Sequence, residues 1–147
     1  MTELDNVDKL VLRIQKLLGY VKYLEKYRGV TAEELEADVE KRSIVERQLE
    51  LACESCLDIA RLVVTDQRLP IPEKTSGYIL ALGKGGIIDL KFAEEFAGMA
   101  NFRNILVHMY LEIDYRRVVD NLNNHLGDFE RFAREIAKYY EVNGTKG

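Results

Sequence analysis

Apolar residues recur every three or four positions along most of the chain, which is the spacing that predicts amphipathic helices. The first such stretch extends from about residue 5 to 27, with Asp5 as a suitable N-cap and Gly29 just beyond its end. Thr31 and Glu34 have capping-box spacing and predict the next helical start. No segment shows the sustained alternation of apolar and polar residues that is typical of a strand.

A long apolar stripe follows and continues to about Thr65, and the pattern leaves open whether this helix breaks near Asp38. Two prolines in Leu69–Pro72 then predict an extended connection. After it we expect a short helix through Leu82, capped by Thr75 or Ser76, and a turn at the glycine run 83–86.

The last third of the chain predicts two further helical stretches. Asp89 is a suitable cap for a helix from Leu90 that continues through residues 99–110, with a kink expected between Gly98 and Phe102. Asp114 is the next cap signal, for a helix from about Tyr115 to Tyr140.

These elements predict an all-α, up-and-down bundle of four or five main helices. The length of 147 residues suits one domain, which we place at residues 1–142, with a flexible tail at 143–147. The large apolar residues of the first and the long helix exceed the needs of one core, so a homodimer is expected.

Composition is that of an ordinary globular protein, with 47% hydrophobic and 31% charged residues. No apolar run could span a membrane, and the acidic N-terminus does not resemble a signal peptide, so we expect a cytoplasmic protein without membrane contact. The net charge of −4 argues against a broad, non-specific nucleic-acid binder. It leaves room for a local basic site and also suits a basic protein partner.

Cys53 and Cys56 form one CxxC inside a helical pattern. Zinc would need two more ligands at a matching spacing, and a redox CxxC belongs at a strand-to-helix junction. We interpret both cysteines as small core residues. No metal ion or other cofactor is expected, since His125 is remote from His108 and no pair of potential ligands has suitable spacing.

Two polar stripes leave alternatives open. The acidic stripe of the long helix is ordinarily a solvated face, although Glu54 and Asp58 could instead line a cleft; its members are Glu46, Glu50, Glu54 and Asp58. Tyrosines at positions 20, 23 and 27 follow helical spacing. They could stack on bases or form the rim of a helix–helix contact, and the rim is the more common role.

The candidate chemistry lies in residues 99–110, where Arg103-Asn104 precedes His108 and Tyr110. Arginine binds phosphate through several donors, and histidine exchanges a proton near neutral pH. RNA supplies its own nucleophile, the 2′-hydroxyl, so these groups suit metal-free acid–base cleavage of a phosphodiester. The alternative is that His108 is an ordinary packed or surface histidine.

The spacing constrains how these side chains meet. On an ideal helix Asn104 and His108 share a face, whereas Arg103 and His108 lie about 140° apart. Arg103 and His108 can converge if Arg103 lies at a frayed or kinked turn, if its long side chain swings round, or if a second copy brings the missing group across a two-fold axis.

At these residues the chain resembles HEPN-domain proteins, in particular the HepT toxins, through the R-x4-H-x-Y motif of Arg103, His108 and Tyr110. The resemblance extends over nearly the whole chain. It includes Glu54-x-x-x-Asp58-Ile59-Ala60 in the long helix, Gly85-Gly86-Ile87-Ile88, and Met99-x-x-Phe102-Arg103-Asn104.

The resemblance implies an all-α HEPN bundle whose dimer places paired motifs along a cleft. It implies the toxin of a type II-like toxin–antitoxin pair, a metal-independent endoribonuclease with Arg103 and His108 as catalytic residues and Asn104, Glu54 and Asp58 in support. The implied partner is a cognate MNT-type nucleotidyltransferase antitoxin that transfers AMP to Tyr110. The alternative is a non-catalytic module that binds nucleotide or scaffolds such a nucleotidyltransferase.

Overall fold

A computed structural model describes residues 5–108, 111 and 113–144. All regular structure in this part of the chain is helical, which confirms the predicted all-α bundle. The α-helices are α1 (Asn6–Leu24), α2 (Ala32–Ala37), α3 (Val39–Asp66), α4 (Tyr78–Lys84), α5 (Leu90–Phe96), α6 (Gly98–His108), α7 (Tyr115–Asn124) and α8 (Leu126–Tyr139). Short 3₁₀ turns occupy Glu25–Tyr27 and Thr75–Gly77, and a π-helical segment follows α8 at Tyr140–Gly144.

Helix α3 is the centre of the bundle, because α1, α4, α6 and α8 all pack against it. Its apolar stripe, which includes Leu49, Cys53, Cys56 and Ile59, has no solvent exposure. Burying a leucine or isoleucine side chain fully contributes about 2 kcal/mol. This stripe therefore fixes which side of α3 faces the core and which side presents its carboxylates.

Four predicted N-caps form as expected. The side chains of Asp5, Thr31, Asp89 and Asp114 each accept a hydrogen bond from a backbone N–H in the first turn of the following helix, at 2.8–3.1 Å. Each such cap stabilises its helix by about 1 kcal/mol. A fifth cap decides the question left open by the sequence, since Asp38 accepts from Lys41 N at 3.0 Å and separates α2 from α3.

Three predicted boundaries were wrong. The short helix begins at Tyr78 after a 3₁₀ turn, with Gly77 at its N-cap, so neither Thr75 nor Ser76 caps it. The helix from Asp89 breaks at Ala97, before the interval in which the kink was expected. The final helix is interrupted at His125.

At the break between α7 and α8, the His125 imidazole lies close to one carboxylate on each side. His125 Nδ1 lies 3.1 Å from Asp128 Oδ2, and Nε2 lies 3.3 Å from Asp120 Oδ2. The imidazole therefore bridges the end of α7 and the start of α8. Helical structure extends to Gly144; residues 145–147 lie outside the described residues, and the flexible tail at 143–147 stays a prediction.

The cysteines occupy the core as predicted. Cys53 and Cys56 are free thiols with no exposure, and burial raises the pKa of both. In the described segments, no helix is long and apolar enough to cross a membrane.

Candidate functional site

Helix α6 is positioned by one apolar face that packs against α3. Met99, Ala100, Phe102 and Leu106 are buried on that face, at the spacing of successive helical turns. Arg103, which follows Phe102, is therefore half-buried at the edge of the contact between α6 and α3. Asn104 and His108 are exposed.

Arg103 is held by groups from two helices. Its Nη2 forms an ion pair with Glu54 Oε1 of α3, and its Nη1 donates to Asn104 Oδ1 at 3.0 Å. Its Nε is buried and finds no acceptor among the described residues. A buried donor without a partner is costly to the fold.

Asp58 does not join this arrangement. One turn beyond Glu54 on α3, its Oδ2 accepts from Arg13 Nε of α1 at 2.7 Å. Glu54 and Asp58 both line a groove of about 300 Å³ between α1 and α3. Both carboxylates therefore face this groove, Asp58 as an exposed side chain, and only Glu54 contacts Arg103.

His108 is the last residue of α6 and is exposed. The helix is regular from Gly98 to His108, so Arg103 does not lie at a frayed or kinked turn. That removes one of the three ways in which Arg103 and His108 could converge. Tyr110 lies outside the described residues.

Glu46 of α3 contacts the start of α7. Tyr115 Oη, at the start of α7, donates to Glu46 Oε1 at 2.6 Å. Burial and then the hydrogen bond to Glu46 raise the pKa of Tyr115 to about 12. This contact holds the start of α7 against α3.

The basic side chains of the groove were not singled out by the sequence analysis. Arg13, Lys16 and Arg61 line it beside Tyr20. The available signal was the spacing of Arg13, Lys16 and Tyr20 along the polar face of α1. Arg61 lies on a different helix, so no local pattern groups it with them.

Comparison with known proteins decides the family. A profile for the family described as "Ribonuclease HepT-like" matches residues 17–136. The chain belongs to the HepT-like ribonuclease family. The family resemblance seen in the motif and its surroundings is therefore confirmed.

Characterised relatives of the HepT-like chain include two nucleases. The mRNA nuclease HepT of Shewanella oneidensis is 28% identical over 129 residues, covering 88% of this chain and 96% of that protein. The tRNA nuclease HepT of Aphanizomenon flos-aquae is 24% identical over 136 residues, covering 91% of this chain and 92% of that protein.

A solved structure supports the same assignment. The tri-AMPylated HEPN toxin of Shewanella oneidensis, in complex with MNT antitoxin, superposes with a TM-score of 0.80 at 27% identity. The alignment covers 89% of this chain and 98% of that chain. The predicted HEPN-type bundle is therefore confirmed.

Proposed function

We propose that this HepT-like chain is the toxin of a toxin–antitoxin pair and acts as a metal-independent RNA endonuclease. The observation that supports this most directly is the pair Arg103 and His108 on one helix, with the guanidinium partly buried against Glu54. The two nuclease relatives support RNA as the substrate class. An RNA target such as theirs also fits a cytoplasmic location.

The chemistry follows from the side chains present. His108 accepts the proton of the ribose 2′-hydroxyl, and the 2′ oxygen attacks the adjacent phosphorus. The bond from phosphorus to the 5′ oxygen breaks, that oxygen takes a proton from water to leave as a hydroxyl, and His108 returns its own proton to the solvent. The Arg103 guanidinium stabilises the charge that builds on the phosphate oxygens. The expected products carry a 2′,3′-cyclic phosphate and a 5′-hydroxyl.

Silencing of the nuclease would use the tyrosine two residues beyond His108. We expect an MNT-type nucleotidyltransferase antitoxin to transfer AMP from ATP to the Tyr110 hydroxyl. The related Shewanella toxin is AMPylated and bound to MNT antitoxin, which supports this partner. A phosphodiester-linked nucleotide beside His108 would add bulk and negative charge where an RNA phosphate must bind.

A homodimer is part of the proposal. Arg103 and His108 diverge on a regular α6, so a second copy across a two-fold axis is one way to complete the site. Exposed apolar side chains on α1, which are Val11, Leu12 and Leu18, offer surface for such a contact.

The test is RNA cleavage by the purified chain without its partner, in the presence of EDTA. Intact mass is measured first, to show that Tyr110 is unmodified. We expect the wild-type chain to cleave, and His108→Ala and Arg103→Ala each to lower the rate by at least about 100-fold. Asn124→Ala, on the exposed end of α7, serves as the control that keeps activity.

A folded, unmodified wild-type chain that leaves varied RNAs intact would contradict the proposal. Tight binding to the nucleotidyltransferase without cleavage would then favour the non-catalytic scaffold. For the modification, Tyr110→Phe is expected to remain a nuclease but to gain no AMP from the partner. AMP still found on this variant by intact mass would exclude Tyr110 as the acceptor.

A further inference from the structure

The groove between α1 and α3 concentrates basic side chains on an otherwise acidic chain. Arg13, Lys16 and Arg61 line it, in a protein whose net charge is −4. Neither Lys16 nor Arg61 forms an ion pair with a described residue, and both are exposed. Two of the three cations are therefore available to an anionic ligand.

The groove is also held in a defined shape. Arg13 is oriented by Asp58 and donates from Nη1 to Lys9 O at 3.2 Å. The guanidinium of Arg61 lies over the Tyr78 ring, 5.7 Å from its centroid. Arginines fixed in this way lose less conformational entropy on binding than free side chains do.

Glu54 joins this groove to the candidate catalytic arginine. Its side chain lines the groove and forms the ion pair with Arg103. The groove therefore includes the carboxylate that pairs with Arg103. Tyr20, half-buried in the groove wall, offers a ring of the kind on which unpaired bases stack.

We propose that the groove between α1 and α3 is an extended binding site for single-stranded RNA next to the cleaved bond. Arg13, Lys16 and Arg61 bind phosphates there, and Tyr20 stacks on a base. The inference rests on the proposed ribonuclease function and assigns to α1 a part in substrate binding. It also gives an acidic chain a local basic site for RNA, in which three cations outnumber the carboxylates of Glu54 and Asp58.

Binding is measured by fluorescence anisotropy with a labelled single-stranded RNA of about 12 nucleotides. All variants carry His108→Ala, so that the RNA stays intact. At about 100 mM salt, we expect Lys16→Ala/Arg61→Ala to weaken binding about tenfold. The slope of log Kd against log salt should fall by about 1.4, which corresponds to two lost phosphate contacts on a single strand.

The matched control removes the same charge elsewhere. Lys91→Ala/Lys138→Ala takes two exposed lysines from α5 and α8, outside the groove, and should change Kd by less than about twofold. A third variant tests the sign of the effect. Asp58→Asn removes a negative charge from the groove, keeps an oxygen that can accept from Arg13 Nε, and should tighten binding about threefold.

The inference is overturned if Lys16→Ala/Arg61→Ala binds RNA like the control while the wild-type chain still cleaves RNA. That outcome leaves the ribonuclease proposal intact. It is equally overturned if this double variant loses self-association in light scattering but binds the same RNA per chain, because the groove would then be a contact between copies. A wild-type chain that does not cleave, with binding that still depends on Lys16 and Arg61, would refute the nuclease and retain the groove.

Discussion

Arg103 is oriented by protein groups alone, without a bound substrate. The ion pair with Glu54 and the hydrogen bond to Asn104 hold two of its donor nitrogens. Both members of the pair are partly exposed, with 26% and 34% of their side-chain surface accessible. Pairs of this kind stabilise a fold by about 1 kcal/mol or less. A phosphate can therefore share the Arg103 guanidinium with Glu54, or displace Glu54 from it, without a large energetic cost.

Glu54 is therefore expected to act as a positioning residue for Arg103. Glu54→Ala should lower the RNA cleavage rate about tenfold with little change in melting temperature, because the guanidinium loses its orientation. Glu54→Gln keeps an oxygen acceptor and should recover most of the rate. The measurement is kcat and KM for a defined RNA, with circular dichroism to verify the fold. Equal loss in both variants would argue that the charge of Glu54, rather than its position, is what matters.

At the scale of elements, the motif helix depends on the close approach of α4 and α5. A Cβ at Gly83 of α4 would lie 2.5 Å from Ala93 Cβ and 3.3 Å from Leu90 Cα, both on α5. Only glycine allows this contact, and α5 leads directly into α6. The position of Arg103 thus depends on packing about twenty residues earlier in the chain.

Gly83→Ala should destabilise the protein by about 1–3 kcal/mol and lower cleavage, because α5 and α6 must shift. The control is Gly127→Ala in α8, where a new Cβ has no neighbour within 4 Å. That change should be neutral or stabilise by up to about 1 kcal/mol. Urea denaturation of both variants gives the two free energies of unfolding. A Gly83→Ala protein as stable as the wild type would show that α5 moves without penalty.

At the scale of the whole molecule, the geometry of α6 bears on where Arg103 and His108 meet. The two side chains leave the regular helix α6 about 140° apart, so a site composed of Arg103 from one copy and His108 from another is consistent with the fold. Such a composite site has a property that a site within one chain lacks. Two inactive variants can restore it when they exchange subunits.

Mixing Arg103→Ala with His108→Ala under conditions that exchange subunits should restore roughly a quarter of wild-type cleavage if the site is composite. Half of the dimers are then mixed, and each mixed dimer has one intact site of two. The measurement is the cleavage rate of the mixture against each variant alone. No recovery, with subunit exchange verified by mass spectrometry of the intact dimers, would place the complete site within one chain.

The sequence alone determined the helical class, the starts of α1, α2, α5 and α7, and the candidate catalytic residues. Helical spacing, N-caps such as Asp5 and Asp114, and the motif of Arg103 and His108 are local signals, formed by residues a few positions apart. The tertiary structure decided what local patterns do not encode. It separated the roles of Glu54 and Asp58 by placing Arg103 beside one and Arg13 beside the other. It also brought Lys16 and Arg61 into one groove, because their proximity depends on how α1 packs on α3 rather than on their separation in sequence.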